Sequence, residues 1–258
     1  MTRLRLLVSE CRNVARSRWL AAYVLILLGL TEFLFRFGGT GSRVVLSLTN
    51  VVLALVPLVS LIFGTLQVYH SREFIELMLA QPVSRRDLFA ALFGGLVLPL
   101  AAAFLLGAGL PLLWHGGTAT GYGMMLGTGV LLTLVFTAAA FYLALRIQDR
   151  AVGLGAAIVL WLAAVVVYDG AILLGITLFS KWPLETPTLV ATLLNPVDLG
   201  RVLLLLQFDL SALSGYTGAV FERFFGGSTG TVIAILALLG WTAIPFALAL
   251  HRFQRKDW

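Results

Sequence analysis

Apolar residues run almost unbroken over six stretches, 19–35, 44–68, 88–114, 121–145, 151–179 and 229–250, and polar residues collect between them. A helix rises about 1.5 Å per residue, so crossing about 30 Å of hydrocarbon takes roughly 20 residues. Each stretch reaches or approaches that length. The pattern therefore predicts an all-α integral membrane protein with six spanning helices. The first stretch is the shortest. The segment ahead of it is arginine-rich and itself patterned, and no small-residue cleavage site follows it, so a retained span is expected rather than a cleaved signal.

The segments outside the spans carry patterns of their own. Over residues 1–18, Leu4, Leu7, Val8, Cys11, Val14 and Ala15 recur at helical spacing while Arg5, Arg12, Asn13 and Arg16 fall largely elsewhere on the wheel. That predicts a helix lying in the membrane interface, or alternatively a plain basic anchor. From Ser71 to Gln81, Phe74, Leu77, Met78 and Gln81 form one stripe with Glu73 and Glu76 off it, and Pro82 stops the helix. Ser84 and Asp87 have capping-box spacing and open the third span. This short amphipathic piece, 71–83 in all, either projects from the membrane to meet a partner or lies on lipid as a hairpin. The segment 181–228 is oddly apolar for a watery loop. Pro183, Pro187 and Pro196 punctuate it, so short helices dipping into the outer leaflet, or packed beneath a partner, are expected. No repeat, low-complexity tract or second domain is visible, and 1–258 reads as a single membrane domain.

Composition agrees with the pattern: 60% of the residues are hydrophobic and 12% charged, against about 25% charged in soluble domains. No Asp, Glu, Lys or Arg occurs between Asp87 and Arg146. The net charge of +6 does not point to nucleic acid, because the basic residues sit between apolar runs and all but Lys181 and Lys256 are arginine, placed to face lipid phosphates. With six spans both termini share a side. That side carries thirteen of the 18 basic residues, and the other carries Arg36, Arg43, Lys181, Arg201 and Arg223. Basic loops stay in the cytoplasm, so both termini are expected there.

Several chemistries are missing. No G-x-x-x-x-G-K-[ST] motif exists, so energy must come from another subunit or a gradient. His70, His115 and His251 sit at span ends and leave no pair to clamp a haem. Gly226–Gly230 spells G-x-S-x-G, but a helix cannot supply the nucleophile elbow, and His251 lies about 35 Å from Ser228 along one helix, so Ser228 is expected to cap that helix. Cys11 is alone, and Met78, Met124 and Met125 face no Cys or His at ligand spacing, which argues against a metal path. We expect no catalytic residue, cofactor or metal on this chain. Two acids fall inside spans. Glu32 has Arg36 one turn later as a boundary ion pair. Asp169 lies about 27 Å along the fifth span with no partner nearby in sequence; it is either a gate or partner contact or a capped structural acid. Gly123 with Gly127 and Gly226 with Gly230 are weak signals of close helix approach.

The run Glu76-Leu77-Met78-Leu79-Ala80-Gln81-Pro82-Val83-Ser84-Arg85-Arg86, set between spans two and three, resembles the E-L-L-L-x-x-P-V-S-R-R signature of ABC-2 type permeases. The interfacial helix, six spans and long outer segment extend the likeness over the whole chain. Arg72-Glu73-Phe74-Ile75 stands where the family usually has Glu-Gly-Thr, and Ala90-Ala91 where it has Gly-Lys. Trp161-Leu162, Tyr168-Asp169 and Leu193-Leu194-Asn195-Pro196-Val197-Asp198 with Arg201 are similar to the branch that serves nitrous oxide reductase maturation. The resemblance implies a type V exporter-like fold and a separate cytosolic ABC ATPase, in two copies, that holds the ATP and Mg. It also implies a second permease copy and a coupling helix in which Phe74, Leu77 and Met78 anchor while Glu73, Glu76, Arg85 and Arg86 form a charged rim. Asp169, Asn195, Asp198 and Arg201 would meet a periplasmic partner or form a gate, so that motion rather than metal crosses the membrane for copper-site maturation. An exporter of a lipid-like solute is the alternative, and a membrane enzyme or respiratory anchor subunit a third.

Overall fold

The computed structural model describes residues 3–38, 41–115, 119–179, 185–207 and 228–256. The described elements are helices throughout: α1 (Arg3–Ala15), α2 (Arg18–Phe37), α3 (Gly41–His70), α4 (Arg72–Leu79), α5 (Arg85–Trp114), α6 (Ala119–Arg146), α7 (Arg150–Leu162), a π-helical turn (Ala163–Val167), α8 (Tyr168–Leu178), α9 (Glu185–Leu193), α10 (Pro196–Gln207) and α11 (Ser228–Arg255). Six spans among the described residues are long and apolar enough to cross a bilayer, α7, the π turn and α8 together making the fifth.

Local chemistry sets the boundaries. The Ser84 hydroxyl accepts from the Asp87 N–H at 3.1 Å and starts α5, and the Asp149 carboxylate accepts from the Val152 N–H at 2.9 Å and starts α7. Pro57, Pro99, Pro111 and Pro245 all lie inside spans, where neighbouring helices keep the backbone in place. The short helix between spans two and three is briefer than its 71–81 stripe predicts. It ends at Leu79, because Gln81 precedes a proline and turns instead, its N–H reaching the Met78 carbonyl at 3.1 Å. Asn195-Pro196 breaks the outer segment as expected, separating α9 from α10.

The central element is α6, which packs against α3, α5, α10 and α11. Close crossings fall where side chains are small. Gly64 lies on Ala140, Gly107 on Leu27, and a methyl group added to Gly95 would sit 2.4 Å from the Cβ of Glu10. At that last crossing α1 lies across α5. The twenty residues from Gly95 to Trp114 then extend about 30 Å along α5 beyond this crossing. Below it, Phe89, Phe93, Phe141, Phe246 and Phe253 join α5, α6 and α11 in an aromatic knot with ring centroids 4.9–6.4 Å apart.

Three spans lie on the outside of the bundle, the fifth being the least covered and α11 (17% buried) and α2 (22%) close to it. Within the chain, 67% of the apolar stretch of α5 and of α6 is buried, but only 11% of the fifth span's. It is pinned at its widened turn: the Trp161 indole donates to the Ala54 carbonyl at 2.8 Å, and the Asn195 amide donates to the Ala164 carbonyl at 2.7 Å.

Candidate functional site

At the end of the bundle that carries both termini, α4 presents two faces. Ile75 is 1% exposed and anchors it, with Phe74, Met78 and Leu79 half-buried against the core. Glu73, Glu76 and Leu77 point away, Leu77 being 68% exposed. The single stripe of Phe74, Leu77 and Met78 read from sequence is thus split. Ile75, left out of that stripe, holds the helix down, and Leu77 is its one large free apolar side chain among the described residues. Adjacent apolar residues on a two-turn helix give no clear periodicity, so only packing decides which way the wheel is turned.

Two clamps tie α4 to the spans. At its start, the Tyr69 hydroxyl donates to the Ile147 carbonyl at 3.1 Å, and Arg72 reaches the same carbonyl at 3.5 Å while its guanidinium lies 4.7 Å over the Tyr69 ring. Gly153 makes room, since any Cβ there would collide with the Tyr69 hydroxyl. After α4, one Arg85 nitrogen donates to the Gln254 and Lys256 carbonyls, each at 2.8 Å, closing the end of α11. Arg85 is therefore turned inward to the chain rather than out on a rim. Arg86 is exposed. Burial, with Arg72 and Arg252 close by, holds Lys256 below the usual lysine range.

At the opposite end the four predicted residues meet. Arg201 grips Asp169 with both terminal nitrogens, at 2.5 and 2.6 Å, and Asp198 at 3.0 Å. Asn195 lies against Asp198 at 3.5 Å, and its side-chain oxygen accepts from the Val197 N–H at 3.0 Å. Asn195 and Asp198 are buried, while Asp169 remains 40% exposed. Burial pushes the Asp198 carboxyl up to about 7 against the pull of Arg201. Asp169, partnerless in sequence, has its partner 32 residues on.

Two further polar ends, to which the sequence assigns no acceptor, lock this region. The Tyr168 hydroxyl donates to the Ala191 carbonyl at 2.5 Å, and the Trp241 indole donates to the Leu193 carbonyl at 3.0 Å. The available signal was general: a Tyr or Trp within a span needs an acceptor. Between α6, the fifth span and α11, under the α9–α10 hinge, lies a cleft of about 670 Å³, lined by Phe136, Leu160, Tyr168, Trp241 and Pro245 among others.

The remaining predicted residues scatter. Glu32 binds Arg36 at 2.9 Å as expected and also His115 at 3.0 Å, with Phe35 stacked on the imidazole. Met125 is core. Among the described residues nothing lies within 4 Å of a Cβ added at Gly123 or Gly127, so neither marks a close helix approach there. Lys181, Pro183, Arg223, Gly226 and Gly227, and the side chains of Arg43 and Ser228, lie outside the described residues.

Six candidate spans among the described residues and a short helix held out at one end define a multi-pass membrane protein. The chain belongs to the ABC-2 family of transporter proteins, whose profile matches residues 45–258. It is 30% identical to the probable ABC transporter permease protein NosY of Pseudomonas aeruginosa, over 96% of each chain. It is 26% identical to the protein of the same name from Stutzerimonas stutzeri, again over 96% of each. It is thus a permease subunit of an ABC transporter, and membership of the family implies an ABC ATPase as partner.

Proposed function

We propose that the whole chain is one permease domain that converts ATP hydrolysis by a separate cytosolic ATPase into motion of its spans, with α4 as the coupling helix and both termini cytoplasmic. The observation that carries this is the geometry of α4: a free face of Glu73, Glu76 and Leu77, backed by Ile75 and tied at both flanks to the ends of other spans. A push on that face passes through Tyr69 and Arg72 to the joint between spans four and five, and through Arg85 to the end of α11. Neither path needs the helix itself to bend.

A second permease copy completes the assembly in this reading. The fifth span leaves most of its apolar surface uncovered, and Asp169, a charged residue, is exposed on it. The apolar surface itself is at home in lipid, but the part-exposed Asp169 carboxylate on it suits a polar protein neighbour. Two ATPase copies, carrying ATP and Mg, follow from the twofold pairing. The relatives' name supports the branch whose permeases serve copper-site maturation of nitrous oxide reductase, where movement of the α9–α10 region would act on a periplasmic partner. The cleft under the α9–α10 hinge favours a second reading, export of a lipid-like solute, because its lining is almost wholly apolar.

The deciding experiment compares Leu77→Asp with Phe74→Asp in the complex. Leu77 is free, so Leu77→Asp leaves the permease folded and weakens ATPase assembly roughly 10- to 100-fold, the range of an interface anchor. Phe74→Asp does the same but also disturbs packing, because Phe74 leans on the core. Normal assembly and coupled activity in Leu77→Asp would falsify the coupling role of this face. Purified complex in sealed vesicles containing nitrous oxide reductase apoprotein, assayed for copper incorporation against lipid export, separates the two readings of output.

A further inference from the structure

Beside α4 lies a pocket of about 360 Å³, lined by Glu10 and Asn13 of α1, Gln67 and His70 at the end of α3, and Ser71 and Phe74 at the start of α4. Its walls mix polar groups with the Phe74 ring, and Glu10 is the one carboxylate among the lining residues. Glu10 is 8% exposed, packed against Gly95, and accepts from the Gln67 amide at 3.2 Å. Gln67 also reaches the Ser71 hydroxyl at 3.4 Å. Among the described residues no arginine, lysine or histidine nitrogen lies within ion-pair distance of Glu10. The nearby arginines of α1, Arg5, Arg12 and Arg16, sit opposite the Leu6, Glu10 and Val14 face and point away from the body.

A buried carboxylate with one neutral hydrogen bond is an unbalanced charge, and burial pushes its carboxyl up from the usual range. In a chain of net charge +6, this acid is paired with none of the described basic side chains. We propose that this pocket is a socket for a basic side chain of the ATPase subunit, with Glu10 as its counter-charge. The pocket is continuous with α4 through Ser71 and Phe74, so a partner seated on the free face of α4 reaches it without a second docking site. Its volume takes one extended arginine or lysine side chain, and Gln67 and Asn13 supply polar contacts for the head group. The ion pair would link the ATPase directly to α1, and through the Gly95 crossing to span three. This inference rests on the coupling reading above and adds to it the chemistry of the partner.

The test uses the permease with Cys11→Ser and Asn13→Cys, which places one thiol at the rim of the pocket. A trimethylammonium thiosulfonate is expected to modify it about tenfold faster than its sulfonate counterpart, because an enclosed carboxylate concentrates cations. Adding Glu10→Gln brings the two rates together. Assembly with the ATPase, followed by size-exclusion chromatography, slows the cationic reagent about tenfold or more. Equal reagent rates in the parent overturn the socket. So does an assembled complex in which the thiol stays as reactive as before, and that result leaves α4 coupling standing. Protection by phosphatidylethanolamine nanodiscs without ATPase also overturns it, by assigning the pocket to a lipid ammonium. Failure of any complex to form overturns both readings.

Discussion

Arg85 and Arg201 sit near opposite ends of the bundle and do different work with the same guanidinium. Arg85 binds two backbone carbonyls at the end of α11, and no carboxylate among the described residues pairs with it. Arg201 binds two carboxylates, and its charge is enclosed by them. The first arrangement suits a site that must still attract a partner. A helix C-terminus is a natural cation acceptor, and using it leaves Glu73 and Glu76 of α4 unspent. The second suits a joint that must keep its shape, since the α9–α10 hinge and the fifth span are locked by one ionic network and by the amide of Asn195. One end of the molecule is held together while staying electrically open, and the other is closed upon itself.

The largest expected effect breaks the closed end. Arg201→Leu strands two carboxylates; a buried pair broken in this way costs about 3–5 kcal/mol, and the partial exposure of Asp169 brings the expectation to about 2–3 kcal/mol. Thermal unfolding in detergent should show it, and adding Asp198→Asn should restore part of the loss. An unchanged melting temperature in Arg201→Leu would remove the contrast between the ends.

Next in size is the anchoring of α4. Ile75→Ala removes a fully buried side chain and should cost about 2 kcal/mol, while Leu77→Ala leaves permease stability unchanged. Equal losses in the two variants would mean that α4 is turned differently. Arg85→Ala removes two charge-assisted bonds at a water-accessible helix end, so about 1–2 kcal/mol is expected. Arg85→Lys should recover less than half of it, because an ammonium cannot copy the planar fork. Coupled ATPase activity should fall further than stability does, and proportional falls would make Arg85 a merely structural clamp.

The smallest effect sharpens the picture at the closed end. The folded state raises the Asp198 carboxyl to about 7, from about 3.9 when unfolded. Its contribution to stability is full below about pH 4 and is lost as pH rises through about 7. The protein should be more stable at pH 5 than at pH 8 on this account, and Asp198→Asn should flatten the profile. A parent profile that rises over the same interval contradicts the assignment.

Much of this architecture could be read without coordinates. The six spans, the break at Asn195-Pro196, the Ser84 cap and the Glu32–Arg36 pair all depend on neighbours within a few residues, and hydropathy or spacing reveals them. The four outer residues Asp169, Asn195, Asp198 and Arg201 were legible as a group, but not as one network, because Arg201 and Asp169 belong to different helices. Arg85 was legible as a charged member of a motif and misread as a rim residue, since its acceptors lie at the far end of the chain. Glu10 could not be told from any other acid on an amphipathic helix until Gly95 was seen beneath it.

Sequence alone determined that the chain lives in a bilayer, how many times it crosses, and that it has no P-loop of its own. These follow from the cost of placing charge and open backbone in hydrocarbon, a cost set locally, residue by residue. Tertiary packing decided which face of α4 is free, which carbonyls the arginines bind, and which buried acid meets no cation among the described residues. Those outcomes depend on side chains brought together from distant helices, where angstrom-scale crossings at small residues choose among partners that the linear order leaves equal.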